Sequence, residues 1–195
     1  MNSTSKGLPK ITINAPVVLG FTLICVVVQI INTITFGAST QALFTFHVSS
    51  LSHPLEYFKL ISFAFGHVNW DHCIGNLSYI LLLGPLLEEK YGSARMAAII
   101  LASALACSIT SILVFHTGGV GASGVVFTFI LLSSVTNLRE GEIPLTFVLV
   151  AALYFGQQLY GAAFIRGNTS YHGHIIGGLV GAVVGFLLPE QSGSR

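Results

Sequence analysis

The feature that most constrains this chain is a series of six long apolar stretches separated by short polar segments. A helix needs roughly 20 apolar residues to cross a bilayer. We predict six transmembrane helices, at residues 15–35, 69–87, 93–115, 122–137, 145–162 and 171–188. Only 8% of the residues are charged, against about 25% in soluble domains. The predicted fold class is therefore all-α, a polytopic membrane bundle in a single domain, 1–195.

The distribution of polar and charged residues predicts the two tails and the membrane topology. Residues 1–14 and 189–195 form short tails, and segment 36–66 mixes apolar side chains with charges, so we expect it to lie partly in the membrane interface. Lys and Arg accumulate in cytoplasmic loops. The side that holds both termini carries Lys6, Lys10, Lys90, Arg95, Arg139 and Arg195, and the other side carries Lys59 and Arg166. We therefore predict an integral membrane protein with both termini in the cytoplasm.

Charge and cysteine usage argue against several classes of protein. The net charge of +1 gives no basic surface for nucleic acid. The three cysteines lie in apolar stretches without disulfide or zinc spacing, so we expect them to pack in the interior. We expect no cofactor and no metal. A metal site formed by His67, His72 and His174 is a minor alternative.

The topology brings distant polar residues to one membrane depth. Ser123 begins the fourth predicted helix at its outer end. His72 and Asn76 lie near the outer end of the second helix, and His174 lies near the outer end of the sixth. Polar side chains inside a membrane are costly and usually functional. We therefore predict a site that opens toward the outer side.

Ser123 has the surroundings of a nucleophile. A serine hydroxyl attacks only when a base removes its proton. At the first turn of a helix, a free backbone N–H and the positive end of the dipole favour a developing oxyanion. Gly121 and Gly124 allow close approach of another backbone. Taken alone, Gly-Ala-Ser-Gly is more typical of small-residue helix packing.

His174 is the candidate base. It shares a helix face with Gly177 and Gly181, whose small-xxx-small spacing predicts close packing on another helix. If that neighbour is the fourth helix, the imidazole reaches Ser123. Phe127 lies four residues after Ser123 on the same face, where its ring could orient the imidazole. His172, on roughly the opposite face, is the weaker alternative base.

His72 and Asn76 are spaced i and i+4, so they share a face of the second helix. Imidazole and amide N–H groups are suitable donors to a tetrahedral oxyanion. The alternative is a hydrogen bond between helices that only stabilises packing. Further along, we expect Glu88, Glu89 and Lys90 to form a solvated turn, in which one glutamate ties down the helix end.

Four motifs occur in series. They are His67-x4-His72-x3-Asn76, Glu88-x3-Gly92-Ser93, Gly121-x-Ser123-Gly124 and Gly173-His174-x2-Gly177-Gly178-x2-Gly181. In order and spacing they resemble the rhomboid intramembrane serine proteases over residues 56–188. The size is similar to the minimal six-helix bacterial form, which implies a bacterial inner or plasma membrane.

The resemblance implies a role for each matching residue. Ser123 is the implied nucleophile and His174 the general base, without a carboxylate. His72, Asn76 and the backbone N–H of Ser123 form the implied oxyanion hole. His67 shapes the site and its access to water, and Glu88 braces the second helix.

Two positions depart from the family pattern. Phe58-Lys59 stands where the family often has Trp-Arg, so the outer segment is anchored differently. Phe127 stands where the family often has Tyr, which keeps the ring without the hydroxyl. No reacting group is lost at either position.

The implied function is that of an endopeptidase that cleaves transmembrane helices of membrane proteins in the lipid bilayer. One alternative is a catalytically silent rhomboid-like protein that binds membrane helices. Another is a small transporter lined by histidines. The sequence leaves the substrate and the oligomeric state open.

Overall fold

The computed structural model describes residues 12–47, 53–135, 142–164 and 171–188. The helices in these ranges are α1 Pro16–Ile34, α2 Ala38–Leu43, α3 Pro54–Ser62, α4 Trp70–Tyr91, α5 Ser93–Leu113, α6 Ser123–Val135, α7 Leu145–Phe164 and α8 Tyr171–Leu187. A 3-10 turn, Phe63–Phe65, follows α3. The all-α class is confirmed for the described residues. Most of the two tails, residues 136–137 and the cations Arg139 and Arg166 lie outside them.

The number of membrane spans is established only in part. Among the described helices, α1 and α5 are long and apolar enough to cross a membrane. Helix α6 has 13 residues, while the apolar stretches in α7 and α8 are shorter than a typical span. Helix α4 has 22 residues but is less apolar over its length. The six-span topology therefore stays a prediction.

Helix α4 ends four residues later than predicted, at Tyr91 instead of residue 87. Gly92 terminates it with a positive φ of 82°, a conformation that glycine adopts without steric cost. The expected solvated turn is wrong for Glu88, which lies in the last helical turn and is only 3% exposed. Glu89 is also helical, and only its predicted exposure to solvent is confirmed.

Glu88 joins the end of α4 to the beginning of α1. Its carboxylate accepts hydrogen bonds from the backbone N–H groups of Val17 and Val18, at 3.0 and 2.9 Å, and from the Ser93 hydroxyl at 2.7 Å. The first N–H groups of a helix lack partners within the helix, and its dipole favours an anion there. The buried charge is thus fully compensated, and it fixes two helix ends together.

The described residues of segment 36–66, which are 36–47 and 53–66, fold back against the loop that precedes α6. Phe46 and Gly119 exchange backbone hydrogen bonds of 3.2 and 3.1 Å, and the Gly121 N–H donates to the Phe63 carbonyl at 2.9 Å. Phe58 is 52% exposed, whereas the adjacent Lys59 is buried and pairs with Glu56 at 3.0 Å. The segment presents an apolar surface outward, and its placement in the membrane interface stays a prediction.

Helices α6 and α8 are in backbone contact along the glycine face of α8. A methyl group at Gly177 would overlap the backbone oxygen of Gly124, and one at Gly181 would overlap that of Thr128. This is the close approach that the small-xxx-small spacing predicted. It sets the first turns of α6 and α8 side by side.

A buried polar contact reinforces this packing. The Thr128 hydroxyl lies 2.8 Å from the Gly177 carbonyl and 3.0 Å from that of Gly124, and the Ser103 hydroxyl approaches it at 2.7 Å. A hydroxyl has one proton to donate and two lone pairs to accept. Helices α5, α6 and α8 therefore meet in one satisfied hydrogen-bond group.

Candidate active site

Ser123 and His174 are in hydrogen-bond contact. The Ser123 Oγ lies 3.0 Å from the His174 Nε2. Ser123 is the first residue of α6, and His174 lies in the first turn of α8. The contact follows from the close packing of the two helices. Gly124 comes one residue after Ser123, Gly177 comes three residues after His174, and the two glycines are in contact. A hydroxyl at this distance can pass its proton to the imidazole.

The other sides of the His174 ring are also occupied. Its Nδ1 lies 2.8 Å from the Gln158 Oε1. The Phe127 ring packs on the imidazole with centroids 4.4 Å apart, and Tyr154 packs on Phe127 in turn at 4.5 Å. The predicted contact of Phe127 with the imidazole is therefore present. Gln158, buried on α7, was missed by the sequence analysis, although Gln157-Gln158 interrupts an apolar helix.

Gly121 is required by the position of His72. The backbone φ of Gly121 is +122°, in the region that favours glycine. A methyl group there would come within 2.6 Å of the His72 Cε1. Gly124 makes a different close contact, since a methyl group on it would lie 2.7 Å from the Cys107 sulfur. The first glycine lets His72 approach the loop before α6, and the second lets α5 and α8 approach the helix.

His72 and Asn76 face the same cavity as Ser123 and His174. Helix α4 begins just before them, where the Asn69 side chain accepts a hydrogen bond from the His72 backbone N–H at 2.8 Å. The Asn76 Nδ2 and the His72 Nδ1 are buried, and neither is hydrogen-bonded within the described part of the chain. Buried polar groups are normally paired, so these two atoms fit a ligand that brings its own acceptor.

His67 lies behind His72. Its side chain is 0% exposed, and the two imidazoles meet edge to face with centroids 5.1 Å apart. The Asn32 side chain donates to the His67 carbonyl at 3.0 Å and fixes this turn to α1. Burial, followed by the neighbouring His72, lowers the pKa of His67 well below the ordinary value of a histidine. His67 thus packs behind His72 in an environment that disfavours its charged form.

A cavity of about 1190 Å³ joins His72, Asn76, Ser123 and His174. Helix α4, residues 118–120, and helices α6, α7 and α8 form its walls. Its polar lining consists of Asp71, His72, Asn76, Ser123, Gln157 and His174. Apolar side chains of α6 and α7 complete it.

The alternatives to this pair have less support. His172 lies 2.8 Å from the Thr117 hydroxyl and stacks on Phe115. Both nitrogens of His174 already have hydrogen-bond partners, Ser123 and Gln158. In the described ranges, no three His, Cys, Asp or Glu side chains are grouped to hold one. The three cysteines are free and buried, as predicted.

Fold and site together define a class: a helical protein whose serine–histidine pair faces a cavity with both polar and apolar lining. The sequence profile of the Rhomboid domain matches residues 54–191. The chain therefore belongs to the rhomboid family, whose members are integral membrane proteins, and the resemblance drawn from the four motifs is confirmed.

Named relatives come from animals, plants and bacteria. Mouse Rhomboid-related protein 2 is 30% identical over 166 residues, which cover 74% of this chain and 55% of the relative. Rhomboid-like protein 11, chloroplastic, of Arabidopsis thaliana is 26% identical over 69% of this chain and 53% of the relative. The chain thus spans about half the length of these two. Rhomboid protease GlpG of Haemophilus influenzae is 25% identical over 88% of this chain and 90% of the relative.

Proposed function

We propose that this protein is an intramembrane serine endopeptidase that cleaves transmembrane helices of other membrane proteins with a Ser123–His174 pair. The observation that carries the proposal is the 3.0 Å contact between Ser123 Oγ and His174 Nε2 at the wall of the cavity. The similarity to a relative named a protease over 88% of the chain supports the same reaction class.

The first half of the reaction forms an acyl-enzyme. The His174 Nε2 takes the proton of Ser123 Oγ as the oxygen attacks the scissile carbonyl carbon. The negative charge develops on the carbonyl oxygen, where the Asn76 Nδ2, the His72 imidazole and the Ser123 N–H are the donors. When the tetrahedral intermediate collapses, the C–N bond breaks and His174 gives its proton to the leaving amine. The second product stays esterified to Ser123.

The second half releases the acyl group. Water enters the cavity and gives a proton to the His174 Nε2 while its oxygen attacks the ester carbon. The Ser123–acyl bond then breaks, and the serine oxygen takes the proton back. The cavity needs contact with the aqueous side for this step, because hydrocarbon supplies no water. Its polar lining, Asp71 and Gln157 included, is consistent with that access.

Substrate helices must unwind locally, since helical carbonyls are already hydrogen-bonded to amides four residues on. We therefore infer a preference for transmembrane segments that carry Gly or other helix-weakening residues near the cut. Helix α4 lines one side of the cavity and helix α7 lines another. We infer that such a segment enters the cavity from the bilayer and meets Ser123 at the wall formed by α6.

We also propose six spans, cytoplasmic termini and a site open to the outer side of a bacterial plasma membrane. The Glu88 hydrogen bonds support this arrangement. They bring the beginning of α1 to the end of α4, next to Lys90 and Arg95. Ser123 lies beyond the far end of α5, at the opposite end of the bundle.

Covalent labelling by a fluorophosphonate tests the nucleophile and the base. The Ser123 oxygen would displace fluoride from phosphorus, with its proton passing to His174. We expect the full chain in detergent–lipid micelles to be labelled at Ser123, and both Ser123→Ala and His174→Ala to lose labelling.

Two matched controls sharpen this test. Ser78 is an exposed serine of α4 whose hydroxyl bonds within its own helix, and His172 is the alternative base, so Ser78→Ala and His172→Ala should keep the label. Labelling that survives His174→Ala but not His172→Ala would contradict the proposed base. A folded chain that is never labelled and never cleaves a substrate would instead favour a helix-binding protein.

A further inference from the structure

We propose that Gln158 is a positioning residue for this reaction, which holds His174 in the tautomer and orientation that direct a lone pair toward Ser123. The contact behind it is the 2.8 Å distance between Gln158 Oε1 and His174 Nδ1. The inference rests on the proposed function, because it assigns a third member to the Ser123–His174 pair.

The tautomer follows from the chemistry of the two partners. A neutral imidazole has one N–H and one lone pair on its two nitrogens. The amide oxygen of Gln158 only accepts, so the Nδ1 that faces it carries the proton. The Nε2, 3.0 Å from Ser123 Oγ, then presents the lone pair that a general base needs. The other tautomer would set a lone pair against the amide oxygen and an N–H against the serine.

The orientation is fixed from three sides. Gln158 is 4% exposed and holds the Nδ1 end of the ring, and Phe127 covers one face. Tyr171 approaches edge to face, with centroids 6.5 Å apart. When the imidazole takes the serine proton, the oxygen end of the amide dipole lies next to the new positive charge and stabilises it.

The amide suits this location better than a carboxylate. In water-soluble serine proteases the corresponding position is a buried aspartate. A buried charge is expensive at membrane depth, whereas an amide provides the acceptor without a net charge. Because Gln158 lies on α7 while the pair lies on α6 and α8, three helices must be assembled before the base is correctly held.

The test compares Gln158→Leu with Gln158→Glu and with Gln29→Leu in the full chain. Leucine removes the acceptor at similar volume, and glutamate keeps an oxygen there. Gln29 is an equally buried glutamine of α1, 2% exposed, which accepts from Asn32 at 3.5 Å and lies outside the cavity. The measurement is kinact and KI for a fluorophosphonate probe, at matched amounts of folded protein.

We expect Gln158→Leu to lower kinact about tenfold, the effect of one lost hydrogen bond, with KI unchanged. Gln158→Glu should stay within about twofold of the wild-type kinact, because the acceptor is retained. Gln29→Leu should leave kinact unchanged. Wild-type kinact in Gln158→Leu would overturn the inference, and so would an equal loss in Gln29→Leu, which would indicate lost packing of a buried glutamine rather than the loss of the acceptor at Nδ1.

A measurement on the unmodified chain keeps the inference testable if Gln158→Leu fails to fold. In protein with ¹⁵N-labelled histidine, the His174 ring should be protonated at Nδ1, and protonation at Nε2 would overturn the inference. A wild-type chain without label at Ser123 contradicts the proposed function and this inference together. A labelled wild type with an unaffected Gln158→Leu contradicts only the role of Gln158.

Discussion

The two ends of the bundle differ in whether their buried polar groups are hydrogen-bonded. At the Glu88 end, a buried carboxylate is satisfied by three donors from α1 and Ser93. At the Ser123 end, the Asn76 Nδ2 and the His72 Nδ1 are buried without a hydrogen bond to any described residue. Burying an unpaired polar group costs about 1–3 kcal/mol. The first end stabilises the fold, whereas under the proposed function the second keeps donors available for a substrate.

Asn76→Ala should produce the largest contrast between rate and stability. Loss of one oxyanion donor typically costs about 10²- to 10³-fold in rate. Because the Asn76 Nδ2 has no bond to lose within the described residues, the thermal midpoint should hardly change. Turnover of a membrane substrate and thermal unfolding in the same micelles measure both quantities. A large fall in the midpoint with an unchanged rate would assign Asn76 to helix packing.

Glu88→Gln should show the opposite pattern. Hydrogen bonds to a charged group contribute about 1.5–3 kcal/mol. The neutral amide also replaces one acceptor oxygen with an NH2 group, which cannot accept from the α1 N–H groups. We expect the free energy of unfolding to fall by about 2 kcal/mol, while fluorophosphonate labelling per folded molecule is unchanged. A slower labelling rate in fully folded protein would mean that this end also tunes the site.

Thr128→Val should have a smaller effect on stability, about 1 kcal/mol, because it removes one buried hydroxyl from a satisfied group. Thr22 offers a matched control, since its hydroxyl is buried without a partner in the described chain. Thr22→Val should be neutral or slightly stabilising. Denaturant titration of both variants tests the pair, and equal losses would contradict the distinction between paired and unpaired hydroxyls.

The sequence predicted the residues that line the cavity better than the residues that hold them in place. Ser123, His72, Asn76 and His174 stand out because each is a polar side chain in an apolar stretch, and helix order predicted that they lie near one another, as their shared cavity shows. Gly177 and Gly181 also revealed the face that contacts α6, because small residues mark close packing in membranes.

The supports escaped sequence analysis for physical reasons. Gln157 and Gln158 are adjacent, and α7 is apolar around its whole circumference, since lipid and core are equally apolar. Periodicity therefore cannot tell which glutamine points inward. Glu88 sits among charged neighbours and looks solvated; the resemblance implied that it braces the second helix, but its partners on α1 emerge only when α1 is placed against it. The short helices of segment 36–66 likewise depend on contacts with the loop before α6.

The most direct test of the central claim is proteolysis by the purified chain alone. We would reconstitute it in liposomes with a single-span segment that carries a Gly-Ala pair in its outer half, and identify the products by mass spectrometry. The account predicts a cut within the apolar segment that is lost in Ser123→Ala and in His174→Ala, and retained in Ser78→Ala. Cleavage that persists in folded Ser123→Ala would contradict it.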